Sequence, residues 1–167
     1  AASEAGVYVL IEAAVGGGIP IIEPLKQSLG GNRINRVSGI INGTTNYILT
    51  RMADEGAAYD AVLKDAQDLG YAEADPAADV DGLDAADKIA ILASLAFGGT
   101  VDRAVIPTNG ISGLEGVDVD YANRLGYGVK LLAVAERMAD SGDPLPLSLR
   151  VQPTLVPKDH PLAGVHG

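Results

Sequence analysis

The sequence predicts an α+β domain, a mixed β-sheet with helices packed on one face. Three observations lead there. Two apolar, β-branched runs in the first half (7–11 and 33–41) flank a helical stretch. Helical segments follow in close succession over 47–97, and two further strand-like runs come after residue 127. The 167 residues, 47% of them hydrophobic, suffice for one core. No repeat, linker or low-complexity tract divides them, so a single domain, 1–167, is expected.

Each element has a local reason. The run Val7-Tyr8-Val9-Leu10-Ile11 reads as a strand buried on both faces. Gly16, Gly17 and Gly18 end it, and Pro20 opens a helix reaching Leu29, stopped by Gly30, Gly31 and Asn32. Residues 33–41 read as the next strand, with Val37, Ile40 and Ile41 apolar. Asn42-Gly43-Thr44-Thr45 then makes a turn with two candidate N-caps. Helices are expected over 47–55 and 59–69, an acidic loop over 70–82, and a strongly apolar helix over 83–97 stopped by Gly98 and Gly99. Residues 128–138 and 145–156 read as an antiparallel pair around the turn 141–144. The strands of the first half are expected to be joined by helical crossovers. Both ends look cut, so the chain reads as a fragment of a larger one.

Composition narrows the function. There is no cysteine, which excludes disulfides, cysteine-ligated metals and thiol chemistry. Twelve basic against 22 acidic residues leave a formal charge of −10, unsuited to nucleic acid or an anionic membrane. No segment approaches the roughly 20 apolar residues of a bilayer span, and the first residues lack a signal peptide's pattern. A cytoplasmic protein is expected. The charge is concentrated: residues 51–90 carry 11 acidic and 3 basic side chains, a net of −8.

That stretch holds the strongest chemical signal. Asp84 and Lys88 are four apart and share a helix face among Ala85, Ala86, Ile89, Ile91, Leu92 and Leu95. A lysine partly desolvated beside a carboxylate has the properties of a proton-transfer group. An ordinary exposed salt bridge is the competing reading. Four further acids lie close in sequence: Glu73, Asp75, Asp79 and Asp81. They fail as an EF-hand, because Lys88 falls where the bidentate Glu belongs.

Gly16 to Gly18 lack both dinucleotide and Walker spacing, so a tight turn is the better reading. Glu12, at the end of an apolar run, either joins glycine-turn carbonyls around a hard cation or caps a helix or meets an arginine. The turn at Asn42, Gly43 and Thr44 either holds a small polar ligand or caps a helix. His160 and His166 are too few for a catalytic or metal constellation.

The run Ala66-x-x-x-Gly70-Tyr71-Ala72-Glu73-Ala74-Asp75-Pro76-x-x-Asp79-Val80-Asp81-Gly82-Leu83-Asp84-x-x-x-Lys88 closely resembles the signature of homoserine dehydrogenases. So do Glu12-Ala13-Ala14-Val15-Gly16-Gly17-Gly18-Ile19-Pro20, Gly39-Ile40-Ile41-Asn42-Gly43-Thr44-Thr45-Asn46-Tyr47-Ile48 and Asp159-His160-Pro161-Leu162-Ala163. The resemblance implies the substrate-binding, catalytic and dimerisation domain of an NAD(P)-dependent enzyme that interconverts L-homoserine and L-aspartate 4-semialdehyde, on the route to threonine, methionine and isoleucine.

It implies Lys88 as the acid/base lysine and Asp84 as its carboxylate neighbour. Glu73, Tyr71, Asp79, Gly43 and Thr44 become substrate-binding positions, with Glu73 also touching the cofactor. Glu12 with Val15, Gly17 and Ile19 would hold Na+ or another monovalent cation. A homodimer through the sheet is implied as well. The family's dinucleotide-binding unit, with its second lysine, has no counterpart in these residues, so the chain alone is expected to turn over slowly or not at all. A non-catalytic amino-acid-binding or oligomerisation module keeping the fold is the alternative; the intact Glu73, Asp84 and Lys88 favour the enzyme.

Overall fold

A computed structural model describes residues 2–138 and 147–166. Six helices are seen there: α1 (Ala2–Ala5), α2 (Gly43–Glu55), α3 (Tyr59–Asp68), α4 (Ala77–Val80), α5 (Leu83–Phe97) and α6 (Gly116–Arg124). Three strands accompany them: β1 (Arg36–Gly39), β2 (Tyr127–Arg137) and β3 (Leu147–Pro157). The fold is α+β, as expected.

The strands lie in the order β1-β2-β3 and pair antiparallel, with Ser38 opposite Val134 and Ala133 opposite Val151. One parallel bridge, Thr108 to Val151, adds the sheet's parallel component. Alternation along β2 supplies two apolar faces. Val129, Leu131, Ala133 and Ala135 join the main core with Ile48, Leu49 and Met52 of α2, Ile89, Leu92 and Phe97 of α5, and Val119 of α6. Leu132 and Val134 point the other way, toward Val156, Leu162 and Ala163. The large helices therefore sit on one face, and the 3-10 turn Pro161–Gly164 lies against the other.

Three expectations are corrected. Residues 7–11 form no strand: no described strand pairs with them, and the run is exposed, Tyr8 by 98%. An apolar run becomes a strand only when a neighbour supplies its ladder. With that strand absent, no helical crossover joins two strands in the first half. The helix expected from Pro20 starts instead at residue 22 and is wound as a π-helix over Pro24–Ser28. Pro24 has no N–H and disfavours a normal ladder around it; Leu29 N–H reaches back five residues to its carbonyl at 2.8 Å. The acidic loop contains α4, and α6 appears where no element was expected. The turn 141–144 lies outside the described residues.

The local geometry of 66–82 explains its spacing. Gly70 (φ +79°) ends α3: its N–H reaches Gln67 O at 3.0 Å, while Tyr71 N–H reaches Ala66 O at 2.8 Å. This is a Schellman motif, which requires the left-handed conformation at residue 70. Ala66, fully buried, lets the chain return close to α3. Downstream, Pro76 O accepts from Asp79 and Val80 N–H, both at 2.9 Å, and Asp75 Oδ1 accepts from Ala77 N–H at 3.2 Å. These bonds start α4 and bring Asp79 back toward α2.

Candidate active site

The centre is the N-terminal turn of α5. Asp84 lies in that first turn, where the helix dipole favours a carboxylate, and Lys88 lies one turn on. Lys88 Nζ donates to Asp84 Oδ2 at 2.7 Å and to the Ile41 carbonyl at 3.2 Å. The two side chains keep 25% and 33% of their surface exposed, so the pair is half-sunk and reachable. An exposed surface bridge would lack the Ile41 bond, which anchors the ammonium to the end of β1.

Asn42, next along the chain, ties the site together. As N-cap of α2 its Oδ1 accepts from Thr45 N–H and Thr45 Oγ1, both at 2.9 Å. Its Nδ2 donates to Asp79 Oδ1 at 2.7 Å and Asp84 Oδ2 at 3.1 Å. One buried amide thereby joins α2, α4 and α5. From the sequence the turn at Asn42 reads either as a small-ligand site or as a helix cap; the cap is present, while the bridge from Asn42 to Asp79 and Asp84 depends on long-range packing that local sequence does not signal.

Around this centre lies a looser rim. Thr44 Oγ1 donates to Tyr71 O at 2.9 Å, and the Tyr71 and Tyr47 rings stand 5.0 Å apart. Tyr47 OH in turn accepts from Arg51, which also bonds Glu55 and Asp65. Glu73 is exposed, its backbone carbonyl held by Gln67 Nε2 at 3.1 Å. Gly43 opens α2 with free space where a side chain would stand. The other three neighbouring acids divide: Asp79 joins the centre through Asn42, Asp75 Oδ1 accepts from Ala77 N–H and Asp81 accepts from Ser112 Oγ at 3.2 Å.

Glu12 sits in a 3-10 turn, Glu12–Ala14, and its carboxylate accepts N–H bonds from Ile21 (2.5 Å), Ile22 (2.8 Å) and Glu23 (2.7 Å). Partial burial pushes its pKa up, and the three bonds outweigh that and hold it below the ordinary value. The helix-capping reading is thus realised. Val15 is buried, Ile19 is exposed, and Gly16 O accepts from Ile19 N–H at 2.7 Å. Among the described residues no cluster of three or more His, Cys, Asp or Glu could hold a metal. Glu12 lines a hollow with Leu10, Ile11 and Glu23, while Val15, Gly17 and Ile19 line the cleft beside Lys88; carboxylates and backbone carbonyls are hard oxygen donors of the kind a monovalent cation takes.

The glycine turn and Lys88 share a cleft of about 310 Å³. One wall is Gly16, Gly17 and Ile19, another is 37–41, and the floor is Lys88, Ile89 and Leu92. His160 lies apart, with Nδ1 accepting from Leu162 N–H at 3.1 Å, and exposed His166 stands 4.0 Å from Asp54.

Fold and site together define a class: an α+β domain in which a lysine, held by a carboxylate one turn away on its helix, lines an open cleft. The family follows. Residues 20–167 match the family model described as homoserine dehydrogenase, and the chain belongs to that family.

It is 66% identical over 167 residues to a homoserine dehydrogenase of Synechocystis sp., covering all of this chain and 38% of that protein. It is 49% identical to one of Bacillus subtilis, covering 99% of this chain and 37% of that protein. Among solved structures, a homoserine dehydrogenase from Thiobacillus denitrificans superposes with a TM-score of 0.93 at 51% identity, over 99% of this chain and 37% of that one. A hyperthermophilic archaeal homoserine dehydrogenase in complex with NADPH gives 0.78 at 29% identity, over 99% and 45%. The chain spans about 37–45% of the length of these relatives. No described helix is long and apolar enough to cross a membrane.

Proposed function

We propose that this chain is the substrate-binding and catalytic domain of a cytoplasmic, NAD(P)-dependent homoserine dehydrogenase, interconverting L-homoserine and L-aspartate 4-semialdehyde in the synthesis of threonine, methionine and isoleucine. The observation that carries this reading is Lys88 Nζ, held between Asp84 and the Ile41 carbonyl and facing an open cleft. When bound, the nicotinamide supplies the hydride chemistry.

The residues of this chain handle protons and orientation. In reduction, Lys88 in its ammonium form donates a proton to the aldehyde oxygen; in oxidation, the neutral amine accepts the hydroxyl proton. Asp84 and Ile41 O keep Nζ aimed through both directions. Carboxylates at Glu73 and Asp79 complement the ammonium common to substrate and product. The start of α2 at Gly43 and Thr44 presents N–H groups suited to the substrate carboxylate. Tyr71, exposed on the rim with its carbonyl held by Thr44, borders the bound substrate, and Glu73 is the exposed acceptor available to a cofactor hydroxyl. The dinucleotide itself has no glycine-rich cradle in these residues, so another domain holds most of it.

Two further elements belong to the proposal. Glu12 with the carbonyls of Val15, Gly17 and Ile19 holds Na+ or a similar ion, supported by the hard-oxygen donor set. The sheet face away from the helices, which among the described residues carries the turn Pro161–Gly164 and Ile40, receives a second copy of the chain in a homodimer.

The decisive experiment joins the chain to an upstream dinucleotide-binding domain and follows homoserine-dependent NAD(P)+ reduction. Lys88→Ala is expected to lower kcat by at least about 100-fold, the usual weight of general acid–base catalysis. Turnover that survives the substitution would remove Lys88 from the chemistry and favour the non-catalytic binding module.

A further inference from the structure

We propose that Lys130 is a positioning residue: its buried ammonium cross-links the first turns of α2 to the chain at Val165 and so holds Asn42 and the Asp79–Asp84–Lys88 cluster in place. The catalytic half of this statement rests on the reading of Lys88 as the proton-transfer group.

Lys130 is the one charge in the apolar stretch 128–135 of β2, and only 5% of its surface is exposed. Nζ donates to Val165 O at 2.6 Å, Asn46 Oδ1 at 3.1 Å and Thr50 Oγ1 at 3.4 Å. An ammonium has three donors, and three neutral oxygens from two separate elements take them. No described carboxylate lies within ion-pair distance of it; Asp54, one turn beyond Thr50, is the acid acting on it, and His166 faces that same Asp54. Burial pushes the lysine pKa down, and Asp54 offsets part of this.

A buried cation with no carboxylate at ion-pair distance is expensive where methionine or leucine would pack, so filling the sheet does not explain it. Its geometry does. Asn46 is buried one turn after Asn42, and its N–H bonds the Asn42 carbonyl at 3.4 Å. Asn42 reaches Asp79 and Asp84, and Asp84 holds Lys88. A shift of α2 along its axis therefore moves the amide that organises the site.

The test uses the full polypeptide with its dinucleotide-binding domain, comparing wild type, K130M, N46L and the double variant. K130M keeps the aliphatic stem and deletes the ammonium. It is expected to lower kcat about tenfold with KM for homoserine within about twofold, because small misplacements of reacting groups cost rate. The double variant is expected to be no slower than K130M, since both break one chain of contacts. Hydrogen exchange, which needs no turnover, is expected to quicken together in 42–50 and 161–166 in K130M. Unchanged exchange in either segment, additive kinetic losses, or a loss that follows thermal unfolding alone would overturn the proposal. Activity absent from every variant, wild type included, would defeat the dehydrogenase reading, and exchange alone would then decide the cross-link.

Discussion

At the scale of single residues, two side chains carry more than their sequence neighbourhoods announce. Asn42 satisfies a helix terminus and two carboxylates at once. Asn42→Ala removes the cap and leaves Asp79 and Asp84 without their shared donor. The expected cost is about 2 kcal/mol, combining a cap with a buried hydrogen bond to charge, and urea unfolding measures it. Glu12 gives a pH signature. Its folded pKa lies below the ordinary value of about 4.5, so its stabilising contribution is present above that value and is lost as pH falls through the folded pKa. The urea midpoint is expected to decline from pH 5 to pH 3, and Glu12→Gln is expected to flatten that decline. An equal decline in the variant would assign the acid sensitivity elsewhere. The Lys88–Asp84 pairing was legible from four-residue spacing alone; the Ile41 carbonyl that anchors it was not, because backbone acceptors leave no trace in composition.

At the scale of elements, backbone geometry fixes each end of the acidic segment at Gly70 and Gly82, and residue 110 packs against it. A β-carbon at Gly110 would overlap the Val80 carbonyl oxygen and Asp81 Cα, while Ile111 N–H bonds Val80 O at 2.7 Å. Gly110→Ala is therefore expected to push α4 outward at a cost of about 3 kcal/mol, the upper range for overpacking. Asp79 would move with it, so chemical denaturation and homoserine turnover are expected to fall together. Helix α5 and strand β2 were legible to within a residue, because long apolar periodicity outweighs tertiary context. Helix α6, with Val119 and Ala122 buried among polar neighbours, was not. Its first turn is instead set by Glu115 N–H donating to Asp118 at 3.0 Å, a short-range bond within an otherwise polar window.

At the scale of the whole molecule, one layer of helices covers one face of a three-stranded sheet, while on the other face the described residues place only a small cluster, Leu132, Val134 and Val156 buried under Leu162 and Ala163. Sedimentation velocity of the joined enzyme is expected to report a dimer, and a monomer at micromolar concentration would argue against pairing through the sheet. The family resemblance was legible over nearly the whole chain because the spaced signature 66–88 encodes caps, turns and acids in one order. The strand expected at 7–11 was misread because pairing is a property of the assembly, invisible in a single apolar run. That run has a practical consequence. Val7-Tyr8-Val9-Leu10-Ile11 is uncharged, proline-free and rich in β-formers, with Leu10 84% exposed. Such a window, left extended in water, is a template for intermolecular β-stacking. Purified by itself, the chain is expected to form thioflavin-positive aggregates on concentration, and Leu10→Lys is expected to keep it dispersed.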